Sequence, residues 1–279
     1  MPKQKVIKVQ QFDQNIPIEF YTIEDNLDLF DFDYHYQYNF YQIYWFTETS
    51  DSTQQIDFDN YALANHQIWI IYPGQVQYFN PTGIKGYYLA IDKDYFNRII
   101  NQEITENKLH IAPPLWFELT TDKISLFEAL MHLFKQEWNT SKRTSMLEKY
   151  LGIYLHHIQD LKELSTYRQP SDNRVQFLLQ QVELNYTSHQ TNNFYANKIA
   201  LSVKRMNELL VEATQRTISQ HIHNRLLLEA KRLIGYSDLT IQQISSELGF
   251  SEVNYFNRFF KKHTALTPLS FRKKVKKVQ

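Results

Sequence analysis

The sequence predicts an α+β chain in two parts. The first is a mainly antiparallel β-barrel or sandwich with a helical tail, and the second is an all-α unit holding two helix-turn-helix motifs. Three observations predict this. From Phe30 to Phe40 every even position is aromatic and every odd position polar, a period of two that a strand keeps on one face and a helix does not. Beyond residue 122, apolar residues recur at spacings of three and four, the stripe of an amphipathic helix. Charge divides along the same line: residues 171–279 hold 16 Lys and Arg against 8 Asp and Glu, and residues 1–170 hold 14 against 22. The neutral total is therefore a cancellation between an acidic half and a basic half suited to phosphate.

Composition bounds the rest. A chain of 279 residues with 43% hydrophobic content accommodates two domains with real cores. The absence of cysteine excludes disulfides, zinc-thiolate sites and cysteine nucleophiles. Met1 to Lys5 is too polar for a signal peptide, and no apolar run approaches membrane-spanning length. A cytoplasmic protein with no membrane partner is expected. Six glycines leave no Gly-rich nucleotide loop, and no Ser-His-Asp set or pair of acids stands at motif spacing. The chain does not read as an enzyme.

In order, strands are expected at 30–40, 41–47, 55–58, 67–72, 76–79 and 86–91. Turn signals at Asp51-Ser52, Asp59-Asn60, Pro73-Gly74 and Pro81-Thr82-Gly83 divide them. A short helix follows at 92–102. The helix at 122–138 places Leu126, Leu130, Leu133, Phe134 and Trp138 on one stripe. The helix at 145–164 spaces Leu147, Leu151, Tyr154, Ile158 and Leu161 as a heptad seam. Two readings of that seam stand open: packing on the β-domain, or pairing with the same helix of a second subunit. A homodimer through helix 145–164 is the expectation. Residues 165–173 are polar with one proline and read as a linker, giving domains at 1–164 and 174–279.

The second half opens with an amphipathic helix at 174–186. A short helix at 193–200, a turn at Leu201, the N-cap Ser202 and a helix at 203–213 make the first helix-turn-helix. Helix 203–213 buries Met206, Leu209 and Leu210. A long helix at 217–236 leads to the second motif, in which Leu248-Gly249-Phe250 is the turn, Phe256, Phe259 and Phe260 are inward, and Pro268 opens a last helix. A short helix with aromatics on one face and amides and cations on the other suits the DNA major groove. Lys204 and Asn207 are base-edge candidates in the first reading helix, with Arg205 on phosphate and Glu208 on a cytosine amine. Asn254 and Asn257 are base-edge candidates in the second, with Val253 against a thymine methyl and Arg258 and Lys261 on phosphates.

Residues 238–272 resemble the C-terminal signature of the AraC/XylS family of bacterial transcription regulators. The match runs through Ile241, Ile244, Ser245, Leu248-Gly249-Phe250, Tyr255-Phe256, Arg258, Phe260-Lys261-Lys262, Thr267-Pro268 and Phe271-Arg272. The resemblance implies a double helix-turn-helix over residues 174–275, reading two successive major grooves of double-stranded DNA. It departs in one respect: Gln215 and Ala265 stand where the family usually has a glycine after each reading helix. More loosely, residues 1–164 resemble the family's cupin-like effector domain, through the strand around His35 and the turn Pro73-Gly74-Gln75-Val76. That likeness implies a small-molecule effector, for which Asp33, His35, Gln37 and Gln77 are the candidates, with either face of strand 30–40 inward. No three-ligand set is visible, so neither metal nor cofactor is expected. The reading is a dimeric, effector-responsive, sequence-specific transcription regulator, with RNA polymerase as a further partner. The alternatives are a metal-dependent cupin enzyme fused to a DNA-binding domain, and a DNA-binding protein without ligand.

Overall fold

The computed structural model describes residues 8–10, 17–27, 35–103, 115–164 and 172–278. It divides into two compact units, Met1–Tyr167 and Arg168–Gln279. Residues 30–34 of the expected first strand, with Asp33, and residues 165–171 of the expected linker lie outside the described residues.

Unit one contains β1 (Lys8–Gln10), β2 (Ile18–Thr22), β3 (Tyr36–Tyr38), β4 (Tyr41–Glu48), β5 (Thr53–Ile56), β6 (Asp59–Ala62), β7 (Gln67–Ile71), β8 (Val76–Phe79), β9 (Lys85–Ile91) and β10 (Leu115–Glu118). They form two five-stranded sheets, ordered β1-β3-β8-β5-β6 and β10-β7-β4-β9-β2. Pairing is antiparallel throughout, save for the parallel pair β1 and β3.

The second sheet is buried on both faces, which explains why β4, β7 and β9 read as nearly continuous apolar runs. Alternate residues divide between two cores. Ile43, Trp45, Ile68, Ile70, Leu89 and Ile91 face the helices. Tyr44, Phe46, Trp69, Ile71, Tyr88 and Ala90 face the first sheet, where they meet Ile56 and Phe79. Phe20 stacks on Phe134 at 5.8 Å, and Trp45 lies edge-on to Phe127 at 6.1 Å.

Three helices cover the outer face: α1 (Lys93–Glu103), α2 (Thr121–Asn139) and α3 (Thr144–Leu164). Here the structure corrects several expectations. On α2 the buried residues are Phe127, Leu130, Met131 and Phe134, together with Glu137. Leu133 is exposed and Leu126 half-buried, because the larger Phe127 claims the inward position. On α3 all five heptad residues are buried in the unit's own core beside Leu155. The seam thus packs within the unit's own core, one of the two readings left open. Asp59-Asn60 is no turn: both lie in β6, and the chain reverses at Asp57, where φ is 54°. Strands β1, β2, β6 and β10 escaped the sequence pattern. The described part of the first long strand is only Tyr36–Tyr38.

Unit two is helical: α4 (Asn173–Asn185), α5 (Asn192–Lys198), α6 (Val203–Thr214), α7 (Ile218–Tyr236), α8 (Ile241–Glu247), α9 (Val253–Thr264) and α10 (Pro268–Val278), with a 3₁₀ turn at Tyr186–Ser188. One core joins them. Val175, Leu178 and Val182 of α4 and Ile222, Leu226, Ala230 and Ile234 of α7 lie between the α5–α6 and α8–α9 pairs.

Candidate nucleic-acid interface

Local chemistry fixes both helix pairs. Each helix start exposes N–H groups without partners inside the helix, and a side-chain oxygen takes one at each start of unit two from α5 to α8. Thr191 caps α5, Ser202 caps α6, Thr217 caps α7 and Thr240 caps α8. Thr217 with Gln220, and Thr240 with Gln243, form reciprocal capping boxes. The reading helices α6 and α9 both end in a left-handed residue, Gln215 at φ 60° and Ala265 at φ 61°. The closure that glycine usually eases is therefore made without it.

Each reading helix anchors one face and shows the other. α6 buries Met206 and Leu210, with Leu209 half-buried. α9 buries Phe256, Phe259 and Phe260, with Phe250 packed on both Phe256 and Phe259 at 5.3 Å. Lys204, Arg205, Glu208, Asn254, Arg258 and Lys261 are exposed, while Val253, Asn207 and Asn257 are half-buried. Three of these have partners that the sequence did not foretell. Arg205 pairs with Glu208 at 3.0 Å, which blunts the repulsion between that carboxylate and phosphate. Asn207 turns back, and its Oδ1 accepts the Ile218 N–H at 3.0 Å. Tyr255 is 54% exposed beside Asn254 and adds an aromatic ring that was not among the candidates; its place one residue from the buried Phe256 was the available signal.

Not every cation of the basic half is available to a partner. Arg225 lies over the Tyr186 ring at 4.2 Å and pairs with Glu183 at 2.7 Å and Glu229 at 2.9 Å. Burial lowers its pKa, but the two carboxylates outweigh burial and hold it above the ordinary arginine value. Arg232 is buried and meets Glu229 at 3.2 Å. Arg272 donates to the Ile234 and Leu239 carbonyls at 2.8 Å each, tying α10 to α7. These three cations build the unit; α6, α9 and α10 carry exposed ones, among them Lys204, Arg205, Arg258, Lys261, Lys262, Lys273 and Lys274. Close to the exit of α6, a cleft of about 220 Å³ is lined by Arg216, Gln220, His223, Asn224 and His263, a set with hydrogen-bond donors and no carboxylate.

In unit one the described effector candidates, His35, Gln37 and Gln77, do not converge. His35 Nε2 lies 3.1 Å from Gln55 Oε1, and Gln37 donates to the Gly74 carbonyl at 3.0 Å. Gln77 sits on the opposite face, towards the second sheet. It donates to Gln42 Oε1 at 2.6 Å and the Tyr44 hydroxyl at 3.1 Å, and accepts from Gln54 at 3.2 Å. Tyr36 pairs across from Gln77 and Tyr38 joins the core between the sheets, so the tyrosines of this strand point inward and His35 outward. Gln42, Gln54, Tyr38 and Tyr44 are the polar residues that sequence reasoning missed. The signal was a glutamine set within apolar strands. The Gln42 Nε2 donor and Gln54 Oε1 acceptor are buried without a hydrogen-bond partner, and burial raises the Tyr38 and Tyr44 phenols well above their ordinary values. They stay protonated.

Residues 195–274 match a family model described as a helix-turn-helix domain. The chain is 28% identical over 124 residues to the HTH-type transcriptional activator RhaS of Pectobacterium carotovorum, covering 43% of this chain and 44% of RhaS. It is 34% identical over 77 residues to the probable transcription factor PqrA of Proteus vulgaris, covering 28% of this chain and 63% of PqrA. The chain thus spans less than half the length of RhaS. The structure of ToxT from Vibrio cholerae superposes over 92% of this chain and 97% of its own, at 12% identity and a TM-score of 0.46. Residues 195–274 of unit two thus carry a helix-turn-helix domain, similar to those of a transcriptional activator and a probable transcription factor.

Proposed function

We propose that this chain is a sequence-specific DNA-binding transcription regulator, in which α6 and α9 enter successive major grooves and unit one is the regulatory domain. The observation that carries this reading is the repeated helix pair, anchored alike, with a polar and cationic face on each reading helix. The single helix between them, α7, has 19 residues and so runs about 28 Å at 1.5 Å per residue. One turn of B-DNA is about 34 Å, so two reading helices carried by such a strut match adjacent grooves on one side of the duplex.

Lys204, Asn254 and Asn257 then meet base edges, Val253 a thymine methyl, and Arg205, Arg258 and Lys261 phosphates. Replacing Asn254 and Asn257 together by alanine is expected to weaken binding to a selected site by about 10²-fold, at roughly 1–3 kcal/mol for each base contact. Binding to random duplex should change little in the same fluorescence titration. Equal losses on both duplexes would remove these residues as readers of sequence.

The regulatory half of the proposal rests on the amide and phenol cluster between the sheets. Its buried, unpaired donor on Gln42 and acceptor on Gln54 favour a neutral ligand bearing hydroxyl or amide groups. Such a ligand acts by shifting the balance between arrangements that bind DNA with different affinity. Thermal-shift screening against neutral hydroxyl- and amide-bearing metabolites tests this. Stabilisation that disappears in Gln42→Leu is the expected result, and stabilisation that survives in this variant places the ligand elsewhere.

A further inference from the structure

We propose that the two helix-turn-helices divide their work through one backbone N–H: Asn207 is a latch that holds α7 onto α6, whereas its counterpart Asn257 reads sequence. The inference rests on the DNA-binding reading above and refines it. It concentrates base discrimination in the second motif.

The two copies correspond residue by residue where the reading helix meets the next helix. Thr214 and Thr264 each bring a hydroxyl to the carbonyl four residues back, Leu210 O at 2.7 Å and Phe260 O at 2.8 Å. The same hydroxyls lie near the carbonyl two residues on, Arg216 O at 3.3 Å and Leu266 O at 3.0 Å. The left-handed residues Gln215 and Ala265 follow. Thr217 and Thr267 then accept from the backbone N–H three residues on, Gln220 N at 3.4 Å and Ser270 N at 3.2 Å. Asn207 and Asn257 therefore hold the same place relative to the first residue of the following helix.

That first residue differs. In copy one it is Ile218, whose N–H is one of the helix's orphan donors, and Asn207 Oδ1 accepts it at 3.0 Å. In copy two it is Pro268, which has no N–H to give. Among the described residues no side-chain hydrogen bond or ion pair engages Asn254, Asn257, Arg258 or Lys261. Adenine recognition by asparagine uses the amide oxygen and nitrogen together. Asn207 would have to abandon the Ile218 N–H to supply that oxygen, leaving the donor of a buried residue unpaired, while Asn257 gives up nothing. The pairing of Arg205 with Glu208 further occupies the first reading face.

Full-length Asn207→Ala, Asn207→Asp, Asn257→Ala and Pro268→Ala, assayed for thermal unfolding and for base preference on a randomised duplex library, test the division. Asn207→Ala is expected to lower the melting temperature of the helical unit by about 4–8 °C, as for loss of one hydrogen bond in a domain of this size. It should weaken all sequences alike. Asn207→Asp keeps an acceptor at a helix N-terminus and is expected to restore the melting temperature without altering base preference. Asn257→Ala should leave melting unchanged and reduce selectivity at one position by about tenfold or more. Pro268→Ala restores an N–H, captures Asn257 and should lower selectivity at that same position. Altered base preference with unchanged melting in Asn207→Ala overturns the latch. Uniform loss across all sequences in Asn257→Ala overturns the reader. A wild-type chain without any site preference overturns the regulator reading together with the reader, while the melting comparison still decides the latch on its own.

Discussion

The first helix-turn-helix is held by polar side chains, and the second by its turn. In copy one, α6 is bound to α7 through Asn207 and through Thr214, whose hydroxyl lies 2.8 Å from His221 Nε2. In copy two, the proline and Phe271 occupy the places of Ile218 and His221, and the turn itself is clamped. His189 Nε2 lies 2.9 Å from the Leu248 carbonyl, and Gly249 at φ 77° sits so close to the 3₁₀ turn that an added Cβ would fall 1.9 Å from Thr187 O. Two copies of one motif thus share their threonine bonds but differ at the start of the following helix, and the second copy keeps its reading-helix amides free for a partner.

The largest effect that tests this contrast is at the turns. Gly249→Ala is expected to cost about 3 kcal/mol or more, from the left-handed backbone and the collision with Thr187 together. Ala200 of copy one is also left-handed, at φ 53°, and Ala200→Gly should be neutral or stabilising, within about 1 kcal/mol. Denaturant melts of the two variants compare them directly, and similar costs would erase the distinction.

A pH effect is expected within copy one. Burial, and then the nearby Arg216, push His221 down to about 4. Its folded pKa is below the unfolded value near 6.5, so the unfolded chain binds the extra proton first. The resulting stability is full above about pH 6.5 and is lost as pH falls towards 4. His221→Gln keeps a partner for Thr214 and is expected to flatten that decline in melts between pH 7 and 4.5. An unchanged slope would place its origin in another group.

The smallest expected effect is shared by both copies. Gln215→Gly and Ala265→Gly each relieve a left-handed residue and should stabilise by about 1 kcal/mol. Unequal gains in thermal melts would show that the two closures are not equivalent after all.

Unit two was legible because its signals are local. The cap Ser202 and stripes such as Phe256, Phe259 and Phe260 lie within a few residues of the structure they fix. The helix expected at 217–236 is observed at Ile218–Tyr236 for that reason. The bond of Asn207 to Ile218 was not legible because it crosses a left-handed turn, and no periodicity reports a hydrogen bond around a corner. In unit one the limits are of another kind. Alternation states which residues share a face but not which face lies inside, so His35 and Gln37 were grouped with Gln77, which points the other way. The heptad on α3 states that a stripe is buried without naming what buries it, and the answer was the sheet. Gln42 and Gln54 stood in plain view within apolar strands, yet their meeting with Gln77 depends on two sheets coming face to face.

Hydroxyl-radical footprinting of a selected duplex bound to the full-length chain tests the central claim most directly. The account predicts protection in two adjacent major grooves on one side of the duplex, with base interference strongest in the groove that α9 occupies. Protection confined to a single groove, or spread without preference along the duplex, would contradict it.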